Sequence, residues 1–175
     1  MIVLVGESGA GKSTIEKILV DKYGFNNIIS YTTREPRTGE VDGVDYHFVT
    51  KSEFRRLKLQ APFVETAAYN GWYYGTAKRD YIKDNAVAVL TPSGLRQVQK
   101  ISDINIVSFY ISVPRRDRLI KILQRGDNID EAYGRNLSDV EMFDGIETEV
   151  DFTMYNYGYR IPAYTLAERI SKFKI

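Results

Sequence analysis

The chain alternates between short apolar runs and segments whose apolar residues recur every three or four positions. Ile2–Val5 is a continuous apolar run, which is typical of a strand that is covered on both faces of a parallel sheet. Further strands are predicted over Asn27–Ser30, Ala86–Leu90, Ile104–Ile111 and Asp151–Tyr155. Helices are predicted over Thr14–Tyr23, Gly94–Ile101, Arg115–Arg125, Asp130–Phe143 and Pro162–Phe173. Strands that alternate with helices predict an α/β sandwich around a parallel sheet.

The stretch 31–85 interrupts this alternation. It contains a short strand-like segment, Asp45–Val49, and then a helix that opens with the capping-box pattern of residues 50–53. Asn70-Gly71 is a strong signal for a two-residue hairpin. The strands that flank this turn are predicted over Phe63–Tyr69 and Trp72–Gly75. An antiparallel insert within a parallel fold predicts a subdomain that moves relative to the rest.

The composition is that of one globular domain and excludes several classes of protein. At 175 residues the chain has the length of one domain, and its apolar content of 43% excludes disorder. The net charge of +1 provides no global field for nucleic acid or membranes, so a site for polyanions must be local. The absence of cysteine excludes a thiolate metal site and a cysteine nucleophile. We expect a cytoplasmic protein, because no apolar run approaches the ~18 residues of a membrane span and no export pattern is visible.

A phosphate-binding motif joins the first strand to the first helix. Residues 6–13 read Gly-Glu-Ser-Gly-Ala-Gly-Lys-Ser and fit G-x-x-x-x-G-K-[ST] at each fixed position. The backbone N–H groups of such a loop and the following helix N-terminus surround a phosphate. We expect Lys12 to reach the β- and γ-phosphates of a nucleoside triphosphate and Ser13 to bind Mg²⁺; a chance match in a glycine-rich turn is the alternative. The predicted nucleoside-triphosphate site comprises Gly6, Gly9, Ala10, Gly11, Lys12, Ser13 and Thr14.

A second motif opens the insert. Residues 30–40 read Ser-Tyr-Thr-Thr-Arg-Glu-Pro-Arg-Thr-Gly-Glu, and the pattern continues through Gly43, Asp45, Tyr46 and Phe48. This segment resembles the nucleotide-acceptor segment of guanylate kinases, S-x-T-T-R-x-P-R-x-G-E-x-x-G-x-D-Y-x-F. The family's next block also matches, at residues 63–65 (Phe-Val-Glu) and 71–76 (Gly-Trp-Tyr-Tyr-Gly-Thr). The resemblance is dense over the first ~76 residues and looser over the remainder.

The resemblance implies an architecture in more detail than the hydrophobic pattern does. It implies the three-layer sandwich of P-loop NTPases, with a parallel sheet, an antiparallel nucleoside-monophosphate-binding insert and a helical lid. The whole chain, 1–175, is then a single guanylate-kinase-like domain. We assign the core to 1–29, 86–124 and 141–175, the GMP-binding insert to 30–85 and the lid to about 125–140.

The acceptor segment carries side chains that suit a phosphate. Arg34 and Arg37 lie three residues apart around Pro36, so both guanidinium groups can converge on one phosphate through bidentate contacts. Tyr46 and Tyr74 can donate hydrogen bonds to the same phosphate. The alternative is a solvated pair of surface arginines beside tyrosines that only pack.

Glu65 is the residue predicted to recognise guanine. Guanine presents two adjacent donors, N1–H and the 2-amino group, whereas an ionised carboxylate only accepts. Adenine would place its N1 lone pair against that carboxylate, and discrimination of this kind can reach ~10⁴ or more. The alternative is an exposed strand carboxylate. By the resemblance, Ser30 and Thr76 bind the base or its phosphate, and Gly75 belongs to the same acceptor site.

Arg125 and Arg135 flank the polar stretch 126–130 and are the predicted lid arginines. Guanylate kinases close a helical lid whose arginines reach the phosphates of both nucleotides, and the R-G…R pattern here is one residue shorter. Phosphoryl transfer needs positive charge on the equatorial oxygens more than it needs a base, although an ordinary surface helix is the alternative. Asn156 matches the family's asparagine near the adenine. Three alternating tyrosines beside it are interpreted as packing residues: Tyr155, Tyr157 and Tyr159.

One feature of the family is missing. After its fourth major strand the family usually carries L-D-x-D-x-Q-G, whose carboxylates help to bind guanine and organise the Mg²⁺ shell. This chain has Val89 and Thr91 at the positions of the two aspartates, and only Gly94 survives. We therefore expect weaker discrimination at the guanine 2-amino group or a different water network around the metal. The helix before the lid also lacks one family arginine, with Lys121 or Ile122 near its place.

The resemblance implies an ATP- and Mg²⁺-dependent enzyme that phosphorylates GMP or dGMP to GDP or dGDP. Its expected partners are these nucleotides, without nucleic acid or membrane, and its expected state is a monomer or homodimer. The residues assigned to catalysis are Lys12, Arg34, Arg125 and Arg135. One alternative is a guanylate-kinase-like scaffolding module, although such modules typically lose the phosphate loop. The other is a P-loop phosphotransferase with another nucleotide or a sugar phosphate as acceptor, which the missing aspartates leave open.

Overall fold

The computed structural model describes residues 1–37, 39–60, 62–82 and 84–173. Its strands are β1 (Ile2–Val5), β2 (Asn26–Asn27), β3 (Tyr31–Thr32), β4 (His47–Phe48), β5 (Phe63–Tyr69), β6 (Trp72–Ala77), β7 (Ala86–Val89), β8 (Val107–Ser112) and β9 (Phe152–Tyr155). Its α-helices are α1 (Lys12–Tyr23), α2 (Lys51–Gln60), α3 (Pro92–Val98), α4 (Arg115–Gln124), α5 (Ile129–Met142) and α6 (Ala163–Ser171). Short 3₁₀ turns cover Lys78–Ile82, Ile146–Thr148 and Tyr157–Tyr159.

A five-stranded parallel sheet forms the centre of the fold, in the order β2-β7-β1-β8-β9. β1 is the middle strand, and its Leu4 lies opposite Val89 on one side and Phe109 on the other. The parallel sheet predicted from the sequence is therefore confirmed. The strand predicted over Asn27–Ser30 is shorter and begins earlier, at Asn26, because the chain leaves the sheet after Ile28 to enter the insert.

Helices cover both faces of this sheet, which explains why every residue of β1 is buried. Ile2 and Leu4 pack into a cluster with apolar residues of α1 and α6. Val3 and Val5 alternate with them and pack on the opposite face, in a cluster that includes Leu95 of α3. The result is the three-layer α/β sandwich that was predicted.

The helix ends follow local capping chemistry. α1 ends at Gly24, which adopts a left-handed conformation with φ of 68° and donates its N–H to the carbonyl oxygen of Leu19. α3 begins two residues before the predicted Gly94. Thr91 caps it by accepting a hydrogen bond from the Gly94 N–H at 3.1 Å, and Pro92 fits the first helical turn.

The insert forms a second sheet, in the order β4-β3-β6-β5. β5 and β6 make the predicted hairpin, and Asn70 and Gly71 at its turn have φ of 50° and 78°. The capping box is also present: Thr50 and Glu53 exchange hydrogen bonds at the start of α2. However, β3 and β4 pair in parallel. The insert therefore contains the predicted antiparallel pairing, between β5 and β6 and between β3 and β6, and one parallel pair that was not predicted, between β3 and β4.

The segment predicted to form the lid begins at Arg125, the residue that follows α4, and comprises a short loop and most of α5. Asn128 caps α5 by accepting a hydrogen bond from the Glu131 N–H at 3.1 Å. Within the part of the chain that the structure describes, no helix is long and apolar enough to cross a membrane.

Candidate active site

One cavity brings the two sequence motifs together. It has a volume of about 490 Å³ and lies between the phosphate loop, the insert and helices α4 and α5. The phosphate-loop side is lined by Gly6, Gly9, Gly11, Lys12, Ser13 and Thr14. The insert side is lined by Ser30, Arg34, Arg37, Tyr46, Glu65 and Tyr74, and the lid side by Arg125 and Arg135. Residues that are far apart in the chain therefore share one cavity.

The cavity is positively charged although the whole chain has a net charge of only +1. Among the described residues, six basic side chains line it against two acidic ones, Glu65 and Asp139. A concave surface with one dominant charge concentrates ligands of the opposite charge. The positive charge that a polyanion site needs is therefore concentrated locally, which the small net charge of the chain led us to expect of any such site.

The phosphate loop adopts a conformation that depends on its glycines. Gly9 and Gly11 have φ of 83° and 92°, a left-handed region that residues with a side chain rarely adopt. A Cβ atom on Gly9 would also lie 2.9 Å from the carbonyl oxygen of Arg118. The close packing of the loop against α4 therefore requires glycine at this position.

The Lys12 side chain folds back onto its own loop. Its ammonium group donates to the carbonyl oxygens of Gly6 at 2.6 Å and Glu7 at 3.0 Å. Burial lowers the pKa of Lys12 to about 8, and the nearby carboxylates of Asp139 and Glu7 oppose that shift. A nucleotide phosphate would add a further anion beside Lys12, so its binding would favour the charged form.

On the opposite wall, Arg34 and Arg37 share one carboxylate. Glu40 lies 2.9 Å from both terminal nitrogens of Arg34 and accepts the backbone N–H of Arg37 at 2.7 Å. The Nε atoms of Arg34 and Arg37 are buried and have no hydrogen-bond partner among the described residues. The pair is thus held in place from one side and retains donors for an anion.

A second carboxylate, Asp127, joins this pair to the lid. Arg125 binds it in a bidentate manner at 2.6 and 2.5 Å, and Arg135 donates to the same carboxylate. Arg37 approaches Asp127 at 3.8 Å. Burial acts to raise the pKa of Asp127, but the hydrogen bonds from Arg125 and Arg135 outweigh it and hold the pKa well below its usual range. Three arginines from the insert and lid therefore converge on one anionic side chain.

Two tyrosines stand beside the arginine pair. The rings of Tyr46 and Tyr74 meet edge to face with centroids 6.0 Å apart, and the Arg34 guanidinium lies 5.5 Å from the centre of the Tyr46 ring. Burial and the neighbouring Tyr74 raise the pKa of Tyr46. The Tyr46 hydroxyl consequently keeps its proton at neutral pH and can act as a donor.

Glu65 is buried at the inner end of the insert, with 3% of its surface exposed. Thr76 donates its hydroxyl hydrogen to Glu65 Oε1 at 2.6 Å, and Ser30 Oγ lies 2.8 Å from Thr76 Oγ1. Because a hydroxyl has only one hydrogen, Ser30 must donate to Thr76 and keeps its own lone pairs free as acceptors. The second oxygen, Oε2, would lie 3.2 Å from a Cβ on Gly94. Glycine at position 94 therefore leaves room next to the carboxylate.

Comparison with known proteins agrees with this arrangement. The family model described as guanylate kinase matches residues 1–155. The guanylate kinase of Schizosaccharomyces pombe is 38% identical over 146 residues, which cover 78% of this chain and 71% of that protein. The guanylate kinase of Clostridium perfringens strain 13 is 35% identical over 164 residues, 90% of this chain and 73% of that protein.

The chain belongs to the guanylate kinase family. The fold agrees as well: the crystal structure of guanylate kinase from Anaplasma phagocytophilum superposes with a TM-score of 0.68 at 21% identity, covering 98% of this chain and 82% of that one. Family membership associates the chain with ATP as a nucleotide substrate and, in most members, with Mg²⁺.

Four residues that the sequence assigned to this guanylate kinase site do not line the cavity. Ala10 is buried behind the loop, and Gly75 packs so closely in the insert that a Cβ would lie 2.5 Å from the Phe63 ring. Thr76 does not line the cavity itself but donates a hydrogen bond to Glu65, which does. The Asn156 amide is engaged on both sides by the backbone of Ile161, at 2.9 Å each way. A contact between Asn156 and adenine stays a prediction.

The positions of the two missing family aspartates lie on the cavity wall. Val89, Leu90 and Thr91 all line it, so the wall next to the predicted guanine pocket offers one hydroxyl and no carboxylate at these positions. The Thr91 hydroxyl already accepts the Gly94 N–H as the cap of α3. It retains one hydrogen to donate and one lone pair to accept.

The side chains beside the phosphate loop suit a metal ion that binds together with a nucleotide. The described residues contain no group of three or more histidine, cysteine or acidic side chains that could hold a metal ion. Mg²⁺ usually keeps several waters and binds through one or two protein oxygens and the substrate phosphates. Ser13 is exposed and lines the cavity beside Lys12. This donor set therefore fits Mg²⁺ bound to a nucleoside triphosphate.

Several polar residues at the site were missed from the sequence. Asp127 pairs with Arg37, Arg118 pairs with Glu7, and Asp139 accepts the Ser8 N–H. These contacts join segments that are distant in the chain, and no local pattern signals them. Tyr159 was interpreted as a packing residue, but its hydroxyl donates to the Gly9 carbonyl oxygen at 2.6 Å. Lys121 lies 4.0 Å above the Tyr159 ring. For Asp127, the sequence offered one signal: it lies between Arg125 and Arg135, the two arginines of the R-G…R pattern.

Proposed function

We propose that this member of the guanylate kinase family transfers the γ-phosphate of ATP to GMP or dGMP, with ADP and GDP or dGDP as products. The shared cavity is the observation that carries the proposal. A phosphate loop with Lys12 forms one wall, and two arginines, the buried Arg34 and the partly buried Arg37, lie on the other. Donor and acceptor phosphates held on these two walls would meet between them.

The donor side is proposed to hold the triphosphate of ATP. The N–H groups of the loop and of the first turn of α1 favour anions, and Lys12 supplies a mobile positive charge. In the structure Lys12 is bonded to loop carbonyl groups. We propose that it exchanges these for the β- and γ-phosphates when ATP binds. Asn156 is proposed to lie on the adenine side.

The acceptor side is proposed to hold GMP. Arg34, Arg37, Tyr46 and Tyr74 would bind its phosphate, and Glu65 would accept hydrogen bonds from N1–H and the 2-amino group of guanine. The support is that Glu65 lines the same cavity and keeps Oε2 available while Thr76 occupies Oε1. Ser30 presents an acceptor lone pair to the same pocket.

The proposed reaction is a direct in-line transfer. An oxygen of the GMP phosphate forms a bond to the γ-phosphorus, and the bond from that phosphorus to the β,γ-bridging oxygen of ATP breaks, leaving ADP. Charge on the transferring group is stabilised by Lys12 and by Arg125 and Arg135 of the lid. No covalent intermediate with the protein is needed, because positioning and electrostatic stabilisation supply the catalysis.

Mg²⁺ would be held by the Ser13 hydroxyl together with the phosphates of ATP, and it would neutralise part of their charge. The chain's own contribution is to orient both phosphates and to exclude water when the lid closes. The division into core, insert and lid stays a proposal at the boundaries given above. We also propose that the enzyme works in the cytoplasm on free nucleotides; a monomeric or homodimeric state stays a prediction.

One observation favours an alternative in which the phosphate acceptor is a nucleotide other than GMP or dGMP. Val89 and Thr91, which line the cavity, provide no carboxylate at the positions where the family's aspartates help to bind guanine. This would permit a purine without the 2-amino group. A purely scaffolding role is disfavoured by the complete phosphate loop, whose Lys12 and Ser13 both line the cavity.

The test is a coupled phosphotransfer assay with purified protein, ATP and Mg²⁺, run in parallel with GMP, dGMP, AMP and UMP. The proposal expects ADP and GDP in equal amounts, and a clear preference for GMP or dGMP over AMP and UMP. Native circular dichroism without any GDP or dGDP formation contradicts the proposal. Turnover of a different acceptor alone would support the alternative.

A further inference from the structure

A buried carboxylate that the proposed reaction does not use lies beside the phosphate loop. Asp139 belongs to the last turn of α5, the helix of the lid, and has 1% of its surface exposed. Its carboxylate nevertheless reaches the wall of the cavity. Burying a charge is costly unless it is paired and hydrogen-bonded, so the contacts of Asp139 indicate what holds it there.

Asp139 connects three segments besides its own helix. Its Oδ2 accepts the backbone N–H of Ser8, in the phosphate loop, at 3.0 Å, and lies 3.3 Å from Nη1 of Arg118 in α4. Its Oδ1 accepts the hydroxyl hydrogen of Tyr69, at the end of β5 in the insert, at 2.7 Å. One side chain of the lid helix therefore links the phosphate loop, α4 and the insert.

Ser8 is held by the same group of residues on its other sides. Ser8 Oγ lies 3.0 Å from the Tyr69 hydroxyl oxygen, and because Tyr69 donates to Asp139, Ser8 must be the donor of this bond. Arg118 donates to the Ser8 carbonyl oxygen at 3.3 Å. The N–H, the C=O and the side chain of Ser8 thus all have partners from outside the phosphate loop.

Arg118 supplies the positive charge that pairs with the carboxylates around Ser8. It is 4% exposed, donates to the Val113 carbonyl oxygen at 2.9 Å, and pairs with Glu7 at 3.1 Å as well as with Asp139. Glu7 and Ser8 are consecutive residues of the phosphate loop. The carboxylates of Glu7 and Asp139 therefore share the buried Arg118 guanidinium. Arg118 connects the phosphate loop to α4 through its contacts with both Glu7 and Ser8.

We propose that Asp139 is a positioning residue that holds Ser8, and with it the phosphate loop, in the conformation that receives the triphosphate of ATP. The inference rests on the proposed function for the identity of the nucleotide, and it assigns Asp139 no contact with the reacting atoms. Tyr69 and Arg118 complete the support. On this proposal, the phosphate loop keeps its ATP-binding conformation only while the lid helix and the insert are both packed against it.

The test uses Asp139→Asn, which keeps size but removes the charge, and Tyr69→Phe, which removes only the bridging hydroxyl. Glu141→Gln is the matched control, because Glu141 is an exposed carboxylate on the same helix. Binding of ATP with Mg²⁺ and of GMP is measured separately by calorimetry. ATP binding needs no acceptor, so a wild-type protein that binds ATP without forming GDP contradicts the proposed function and leaves this test intact.

We expect Asp139→Asn to raise the Kd for ATP by about 10- to 100-fold and Tyr69→Phe by about 3- to 10-fold, the range for loss of hydrogen bonds to a charged partner. The Kd for GMP and all values for Glu141→Gln should stay within about 2-fold. The double variant should lose less than the product of the single effects, because both residues act on Ser8. In steady-state kinetics, the KM for ATP should rise in Asp139→Asn, while kcat at saturating ATP and GMP should stay within about 2-fold.

A Kd for ATP in Asp139→Asn that equals that of Glu141→Gln, or that falls because a negative charge has left the cavity, overturns the proposal. Equal losses for ATP and GMP together with a lower melting temperature also overturn it, since they indicate only a damaged fold. If Asp139→Asn does not fold, Tyr69→Phe decides: an unchanged Kd for ATP contradicts the positioning role.

Discussion

The Thr76 hydroxyl oxygen lies 2.6 Å from Oε1 of Glu65, and both side chains are buried at the inner end of the insert. Thr76 thus occupies one carboxylate oxygen and orients the other toward the cavity. Burial raises the pKa of Glu65, and the hydrogen bond from Thr76 limits that shift. A carboxylate held in this way is a suitable acceptor for two adjacent donors on one edge of a purine.

Glu65→Gln should therefore reduce kcat/KM for GMP by at least about 100-fold, because the amide presents a donor where guanine also presents one. The Kd for ATP should be unchanged. Glu168→Gln, the same substitution at an exposed position of α6, is the control. Steady-state kinetics with GMP as the varied substrate measures the effect. A variant that kept the GMP preference would show that Glu65 does not contact the base.

The wall at Thr91 leads to a prediction about IMP, which has N1–H but lacks the 2-amino group. Since Val89 and Thr91 provide no carboxylate, the GMP-to-IMP ratio of kcat/KM should be modest. Thr91→Asp should raise that ratio about 10-fold, the effect of one hydrogen bond to a charged group. Aspartate also caps helices well, so α3 is retained.

Thr91→Ser is the matched control for this substitution, because it keeps the hydroxyl cap without adding a charge. Its GMP-to-IMP ratio should equal that of the wild type. The prediction fails if Thr91→Asp leaves the ratio unchanged while the protein remains folded and active.

Local patterns predicted most of the fold and part of the site. The phosphate loop, the Asn70-Gly71 hairpin and the capping box at Thr50 each depend on neighbouring residues, and each is present. The ends of strands were less predictable. β2 shortens to two residues because the chain must leave the sheet for the insert, and that is a property of the topology.

The long-range contacts of the site lay beyond sequence reasoning for a related reason. Ser8 and Asp139, which share a hydrogen bond, are 131 residues apart, and Arg37 meets Asp127 across the boundary between insert and lid. Local spacing places Asp127 between the two lid arginines but does not indicate its approach to Arg37, and no local pattern distinguishes Asp139 from the other acidic residues of the chain. The tertiary packing of α5 and of the loop before it selects these two carboxylates.

Asp127 should stabilise the nucleotide-free protein by gathering Arg37, Arg125 and Arg135. Asp127→Asn should lower the melting temperature by about 4–8 °C at pH 7, as loss of about 2 kcal/mol would do. Because the pKa of Asp127 is lower in the folded protein than its unfolded value, this stabilisation is present above the unfolded value of about 3.9. It is lost as the pH falls through the folded value.

The melting difference between the wild type and Asp127→Asn should therefore shrink toward acidic pH. It should also shrink when ATP and GMP are added, since their phosphates provide the arginines with other anions. Differential scanning fluorimetry from pH 3 to 8 checks both expectations. Asp144→Asn, at an exposed position after α5, is the control. An equal difference at every pH would contradict the ion-pair explanation.

The ionisation of Lys12 should limit activity in alkaline solution. Burial lowers the pKa of Lys12 to about 8, so kcat/KM for ATP should fall as the pH rises through this value and the ammonium loses its charge. kcat should hold to higher pH, because bound phosphates favour the charged lysine.

Glu16 also titrates in this range, since burial, with Asp45 nearby, raises its pKa to about 8. Glu16→Gln removes that titration and should leave the alkaline limb in place. A limb that disappears in Glu16→Gln would assign it to Glu16 and contradict the role given to Lys12.

The most direct measurement is the affinity for a bisubstrate analogue in which adenosine and guanosine are joined 5′ to 5′ through five phosphates. If the phosphate loop with Lys12 and the Arg34–Arg37 pair bind two nucleotides in one cavity, calorimetry should give a Kd for the analogue at least about 100-fold below the Kd of ATP or of GMP alone. Lys12→Ala and Arg37→Ala should each weaken this affinity by about 10-fold or more. An analogue that binds no more tightly than ATP, or that is indifferent to either substitution, would contradict the account.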